Sequence, residues 1–330
     1  MQIISVYPNF ANKGGAQNVT IQLAKALNGH DIPIVLTKRG TNIIPEYKQE
    51  AKFMELTWRN VQKLAQENVI FLSHHRKCTT LLMLYKLVLG KKLHVVHVAH
   101  STFKNLKYLS LFPPKIIAIS NGVKENLEQY FGISSQRVHI IFNGVKDEYD
   151  ANKVVDNTSG KIRILLPGRI CAVKQQVKIV EYCKGRLLPH IQIDFAGDGD
   201  ERERLKQAIK DSSQFHYLGF VSMKDCLPRY DYVLLFSEKE GLGLSLIEGC
   251  MFGKPLITND VPAVLDVNED KKTGFVYPTF GKLVEGLNQL PLPGSEEYKW
   301  LSANARKKYE QRFTEEKMIA AYKDVLSSVE

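Results

Sequence analysis

Tyr232-Val-Leu-Leu-Phe236-Ser237-Glu-Lys-Glu240-Gly-Leu-Gly-Leu-Ser-Leu-Ile-Glu248-Gly-Cys-Met-Phe-Gly253-Lys-Pro255 is the stretch on which the reading of this chain turns. A short apolar segment, expected as a strand, ends at a carboxylate and two glycines. A helical stretch follows and carries a second carboxylate. A helix N-terminus exposes unpaired N–H groups and a partial positive charge, which suits a phosphate. Gly241 and Gly243 allow close backbone approach. A carboxylate on the helix can accept two hydrogen bonds from a sugar diol. The stretch therefore points to a nucleotide-sugar site at the end of a strand.

Outward from it, strands and helices alternate along all 330 residues. Strands are expected at Ile3–Tyr7, Ile32–Leu36, Val69–Leu72, Leu93–Val98, Ile116–Ile119 and Val138–Phe142, with helices at Ala16–Leu27, Thr79–Leu89 and Val123–Phe131 between them. These strands are short and rich in Val and Ile, as in a parallel sheet covered on both faces. Residues 146–160 are polar and aperiodic and read as a linker. The alternation then restarts, with strands at Ile162–Leu166, Ile191–Ala196, Phe215–Leu218, Tyr232–Phe236, Leu256–Thr258 and Gly274–Tyr277. A capping-box-like Ser222 and Asp225 open one short helix. Three helices close the chain. The pattern implies an α/β protein of two doubly wound, Rossmann-like domains, with ligands beyond the carboxyl ends of the strands, in a cleft between the two.

Composition narrows the class. Hydrophobic content of 44% and charged content of 24% are ordinary for a globular protein. The longest apolar runs, such as Leu81–Tyr85, fall far short of a bilayer span. The N-terminus enters a strand at once, so no signal peptide is expected. Five cysteines without CxxC spacing fit a reducing cytoplasm and neither a zinc site nor a disulfide frame. Of the 45 Lys and Arg and 35 Asp and Glu, residues 1–150 hold 19 and 10, a net +9, and residues 151–330 hold 26 and 25, a net +1. A basic first half suits an anionic partner: a phospholipid surface, a lipid diphosphate or an acidic glycan. A solvated lysine-rich face with no partner reads the same residues equally well. The basic residues are dispersed and lack a nucleic-acid motif, so nucleic acid is not expected.

Other strand ends carry candidate chemistry. Gly168-Arg169 and Lys174 place two cations past a strand and at a helix start, where they would hold a diphosphate and stabilise it as it leaves. Phe195-Ala-Gly197-Asp198-Gly199 reads as turn chemistry, with Asp198 or Asp200 near a helix N-cap. Gly14-Gly15 after the first strand would let backbone amides face an anion; a flexible turn is the alternative. His100 follows the strand ending near Val98, where a side chain would project into the cleft. Adjacent His74 and His75 would point apart, so no shared metal is expected. The apolar stretch Leu81–Leu89, with its basic end, reads as a buried sheet-covering helix rather than one lying on a membrane.

With these residues in place the chain resembles the retaining glycosyltransferases of family 4. Glu240 and Glu248, with seven residues between them, look like that family's E-x7-E signature. Gly168-Arg169 with Lys174 resembles its G-R-x4-K donor-phosphate motif, and Gly197-Asp198-Gly199 its G-D-G turn. Ile119-Ser120, Asn143-Gly144-Val145 and Gly14-Gly15 match further segments in the right order. The resemblance implies a GT-B fold: an N-terminal acceptor-binding domain over 1–150, a C-terminal nucleotide-sugar-binding domain over 151–313, and a helix over 314–330 that crosses back. It assigns Arg169 and Lys174 to the donor diphosphate, with Gly168 in their loop. It assigns Glu248 to the ribose hydroxyls, and Glu240 with the amides of Gly241, Leu242 and Gly243 to the donor sugar. His100 would contact the sugar near the reacting centre, and Gly15 would admit the diphosphate. Phe220 and Val221 would lie beside the base. Gln175 stands where the family often has glycine, and Lys146 where it often has aspartate. No D-x-D metal motif is present, and no metal or cofactor is expected.

The implied activity is transfer of a hexose or N-acetylhexosamine, with retention, from a nucleoside diphosphate sugar, UDP being the commonest. The acceptor would be a hydroxyl of a lipid-linked or growing glycan in surface polysaccharide synthesis. The setting would be the cytoplasm, peripheral to the membrane's inner face. Alternatives are a sugar-nucleotide epimerase or phosphorylase on the same fold, and a silent partner that binds a nucleotide sugar or glycan. A dehydrogenase is disfavoured, because no G-x-G-x-x-G follows the first strand.

Overall fold

A computed structural model describes residues 1–29, 31–151 and 160–329. The chain divides into two compact units, one of Met1–Asn143 with Glu316–Glu330 and one of Gly144–Glu315.

The first unit holds a seven-stranded parallel sheet. Its strands are β1 (Gln2–Val6), β2 (Ile34–Thr37), β3 (Lys52–Glu55), β4 (Val69–Ser73), β5 (His94–Ala99), β6 (Ile116–Ala118) and β7 (Val138–Ile140), in the order β3-β2-β1-β4-β5-β6-β7. Ile4 lies across from Ile34 on one side and Phe71 on the other. Every residue of β4 and β5 is buried, as central strands covered on both faces require. Ile4, Val6, Phe71 and Val95 pack under helix Arg76–Leu89 through Leu82 and Cys78. Helix Glu315–Ser327 buries Met318, Tyr322 and Leu326, one stripe at i, i+4, i+8.

The second unit holds six parallel strands: β8 (Ile162–Pro167), β9 (Ile191–Ala196), β10 (Phe215–Gly219), β11 (Tyr232–Leu235), β12 (Leu256–Thr258) and β13 (Gly274–Val276), in the order β10-β9-β8-β11-β12-β13. Ile164, Ile193, Phe195, Tyr232, Leu234 and Ile257 centre its core.

The structure adds three points to the sequence reading. Strand β3 was not foreseen: only Phe53 and Met54 are even partly buried, so the sequence carries no apolar run there. Part of the 146–160 linker is bound rather than free. Val145 N–H donates to Phe313 O at 3.0 Å, and Arg306 grips Asp147 and donates to Met251 O at 2.6 Å. Residues 152–159 lie outside the described residues. Ser222 does precede helix Met223–Cys226, but its side chain makes no capping bond.

Candidate functional site

In both sheets the chain reverses its direction of growth beside the first strand, between β1 and β4 and between β8 and β11. Such switch points open a crevice at the carboxyl ends of the strands. The segments singled out in the sequence fall there: Gly168–Lys174 after β8, Glu240–Gly243 after β11, Gly14-Gly15 after β1 and His74 after β4.

In the second unit three strand ends are laced together by backbone. Gly168 N–H donates to Ala196 O at 2.8 Å, Ile170 N–H to Asp198 O at 3.0 Å, and Gly197 N–H to Gly219 O at 2.7 Å. A Cβ at Gly197 would lie 2.0 Å from Gly168 O, so the G-D-G turn exists to let two loops touch. Asp200 stands next to the helix N-cap, as expected from the sequence. Neither aspartate caps helix Arg202–Ile209, whose N-cap is Glu201 without a side-chain bond. Asp200 instead accepts from the Arg169 guanidinium at 2.8 and 3.0 Å. Gln176, fully buried, pins the same loop by donating to Arg169 O at 2.9 Å and accepting from Cys171 N–H at 3.3 Å.

Lys174 turns inward and forms an ion pair with Glu240, whose carboxylate is nearly buried. The two loops meet again one residue on. Gln175 donates to Glu238 Oε1 at 2.9 Å, and Glu238 N–H donates to Val173 O at 2.8 Å. Gln175 adopts a left-handed conformation (φ 56°), the backbone that the glycine usual at this position takes without strain. Glu238 and Gln176 were missed in the sequence, where Gln175 stood out only as a departure from the family and Asp200 only as a neighbour of the N-cap. A left-handed residue between a lysine and a helix leaves no signal unless it is glycine.

Helix Leu244–Met251 starts at Gly243, also left-handed (φ 82°), with no side-chain cap and no acidic residue in its first turn. A Cβ on Gly243 would press on Leu235 and Leu246 at 3.1 and 3.2 Å. Helices Thr57-, Ser120-, Thr279- and Ser295-capped elsewhere satisfy their own first amides. This one has no side chain on its first amides, and although Leu246 N–H turns back to Gly243 O at 2.9 Å, its start and dipole suit an outside anion. Glu248 follows one turn in. Burial, reinforced by the Glu148 carboxylate, pushes it up to about 7. Phe220, after β10, is 71% exposed.

In the first unit, helix Gly15–Asn28 likewise begins without a side-chain cap or an acidic first turn. His100 stacks on His74, with ring centres 5.2 Å apart and Nε2 2.9 Å from His74 Nδ1. One proton is shared in that bond, so in either tautomer the buried His74 Nε2 is left without a partner. His97 Nδ1 lies 2.7 Å from Thr79 Oγ1 and 3.2 Å from Ser73 O. Burial, then the charge of neighbouring histidines, holds His97 down to about 3 and His100 to about 4, and drives His74 down as well. All three rings are therefore neutral near pH 7. His75 points the other way and accepts from Lys77 N–H at the start of its helix. No group of three or more His, Cys, Asp or Glu is arranged to hold a metal among the described residues.

Comparison with known proteins agrees with this geometry. Residues 13–149 match the model of Glycosyltransferase Family 4, and residues 148–308 that of Glycosyl transferases group 1. The chain thus has the make-up of a GT-B glycosyltransferase of group 1 with a Family 4 domain. It is similar to the O-antigen biosynthesis glycosyltransferase WbnH of Escherichia coli, 25% identical over 49% of this chain and 46% of that one. A second Escherichia coli O-antigen biosynthesis glycosyltransferase, WclY, is 23% identical over 66% of this chain and 63% of its own. The matched region spans less than two thirds of either relative. Among solved structures, Anabaena Alr3699/HepE in complex with UDP and glucose superposes with a TM-score of 0.85 at 16% identity over 100% of both chains. The lipopolysaccharide outer core galactosyltransferase WaaB, in apo form, does so with 0.81 at 17%, again over 100% of both. At these identities the likeness establishes the fold.

Proposed function

We propose that the protein is a retaining, metal-independent glycosyltransferase that moves a hexose or N-acetylhexosamine from a UDP-sugar to a hydroxyl of a lipid-linked or growing glycan. The observation that carries this is the Lys174–Glu240 ion pair beside the uncapped start of helix Leu244–Met251 at the β8/β11 switch point. A cation, free amides and a carboxylate converge where a diphosphate joined to a sugar would need all three. The O-antigen roles printed for the relatives WbnH and WclY support a polysaccharide acceptor.

In this reading the donor diphosphate draws Lys174 off Glu240, and Arg169 off Asp200. The two cations then neutralise charge on the leaving group as the bond from the sugar's anomeric carbon to phosphate oxygen breaks. The acceptor oxygen bonds to the same face, and its proton passes to the departing phosphate. Glu240, released from Lys174, accepts from sugar hydroxyls with the amides of Gly241 to Gly243. Glu248 accepts from the ribose diol and Phe220 and Val221 flank the base. His100, neutral, contacts the sugar. The first domain binds acceptor. The setting is the cytoplasmic side of a membrane.

Thermal-shift screening against nucleotides and nucleotide sugars tests donor binding: UDP and a UDP-sugar should raise the melting temperature, and Glu240→Ala should abolish transfer while leaving the fold intact. NMR of the product gives the anomer, and an inverted product would sink the reading. Activity should be unchanged by EDTA, since lysine and arginine take the metal's part.

A further inference from the structure

Between Asn68 and Lys124 the sequence contains no aspartate or glutamate, while Arg76, Lys77, Lys86, Lys91, Lys92, Lys104, Lys107, Lys115 and Lys124 all fall within it. The same stretch carries most of the first unit's exposed large apolar side chains: Leu84 (48%), Leu87 (81%), Val88 (75%), Tyr108 (92%), Leu109 (72%) and, less so, Leu106 and Leu111. This coincidence differs from the sequence expectation, in which Leu81–Leu89 was a buried sheet-covering helix. Only Arg76, Cys78, Thr79 and Leu82 of that helix are buried.

The exposed residues form one surface. Arg76, Thr80, Leu84, Leu87 and Val88 share one side of their helix. Arg76 donates to Asn105 O and Oδ1, both at 2.6 Å, and Leu111 N–H donates to Thr80 Oγ1 at 3.2 Å. The loop from Asn105 to Leu111 therefore runs along the helix's first turns, and the leucines and valine continue the same face. The loop is also firmly built. Asn126 bonds both N–H and C=O of Phe103, at 2.7 and 3.0 Å, and the Arg76 guanidinium lies 4.7 Å over the Phe103 ring. A buried arginine with no carboxylate beside it is a costly fixture. Here it holds Tyr108 and Leu109 out in solvent, the reverse of what core packing would select.

We propose that this face, the outer side of helix Arg76–Leu89 with the Leu106–Leu111 loop, seats the protein on an anionic phospholipid bilayer. Aliphatic tips and a tyrosine enter the interface, and lysines on long stems reach the lipid phosphates. A second copy of the chain is the poorer occupant, since two faces built from a basic stretch without a carboxylate would repel. The surface lies wholly within the first unit and deepens the membrane setting proposed above, without resting on donor binding.

Vesicle sedimentation of the full chain tests it, with phosphatidylglycerol-rich vesicles against phosphatidylcholine alone. The protein should pellet with the anionic vesicles, less so as salt is raised. The combined variant Leu87→Ser, Val88→Ser, Tyr108→Ser, Leu109→Ser should keep its circular dichroism and its thermal shift with UDP and lose vesicle affinity at least about tenfold. Leu109→Trp should show blue-shifted fluorescence on those vesicles. Absence of pelleting, equal affinity of the variant, or a tryptophan that does not respond would each overturn the proposal. So would self-association in sedimentation velocity that the same variant abolishes, which would assign the face to a second copy. Absence of pelleting by the unaltered chain together with an intact UDP response would separate this failure from failure of the donor reading.

Discussion

Glu248 is a carboxylate whose surroundings resist its charge. Its side chain accepts no hydrogen bond from any described residue, and burial raises it to about 7. The sign follows from linkage. A raised folded-state value stabilises the protein fully below the ordinary carboxylate range, and that stability fades as pH rises through about 7. Glu248→Gln removes the titration, so the variant should gain on the parent by about 1–3 kcal/mol between pH 5 and pH 8 in denaturant melts. It should at the same time weaken UDP binding, because an amide accepts less strongly than a carboxylate from a ribose diol. A variant that gains no stability at high pH would mean the carboxylate is already satisfied. The E-x7-E spacing made this residue legible in the sequence. Its exposure to Glu148 was not, because that neighbour comes from a segment read as linker.

At the scale of elements, the strands of both sheets were legible because apolar runs of Val, Ile and Leu mark buried parallel strands. β3 was not, since an edge strand owes its place to pairing with β2 rather than to burial. The candidate site was half legible. Charged residues announce themselves, but what holds them does not: Gln176 and Gln175 look like ordinary surface amides, and Asp200 looks like a cap. The loop contacts predict their own fragility. Gly197→Ala would drive a methyl group into Gly168 O, 2.0 Å away, and push apart the loops after β8 and β9. We expect a loss of about 2–4 kcal/mol, from overpacking against a rigid backbone, and no thermal shift with UDP. Gln175→Gly would relieve the left-handed backbone but forfeit the bond to Glu238, so it should leave stability within about 1 kcal/mol of the parent. Denaturant melts of the two variants check both.

For the whole molecule, the two units respond to pH in opposite senses. In the first, His97 and His100 are held near 3 and 4 against an ordinary 6.5. A depressed folded-state value stabilises above the unfolded value, and that stability is lost as pH falls from about 6.5 toward 4. In the second, Glu248 gives stability on acidification over the same range. Glu269, held to about 2 by Lys272 and Lys308, weakens that unit only below the usual carboxylate range. Calorimetry at pH 7 and pH 5 should therefore show the first unit's transition moving down while the second holds or rises. A common downward shift of both would contradict the assignment of the histidines as buried and neutral. No helix among the described residues is long and apolar enough to cross a membrane.

The chain passes between its units twice, at Asn143–Gly144 and again at Glu315–Glu316, so the unit begun first receives its last helix only after the other is complete. During synthesis the second unit can finish as soon as it clears the ribosome. The first must wait, its sheet formed but lacking the Met318, Tyr322 and Leu326 stripe. A chain ended at Phe313 should give limited-proteolysis fragments from the first unit and leave the second protected. Nascent chains would thus expose an unfinished basic domain for the time taken to translate the whole second unit, which makes that interval the one in which a chaperone would act.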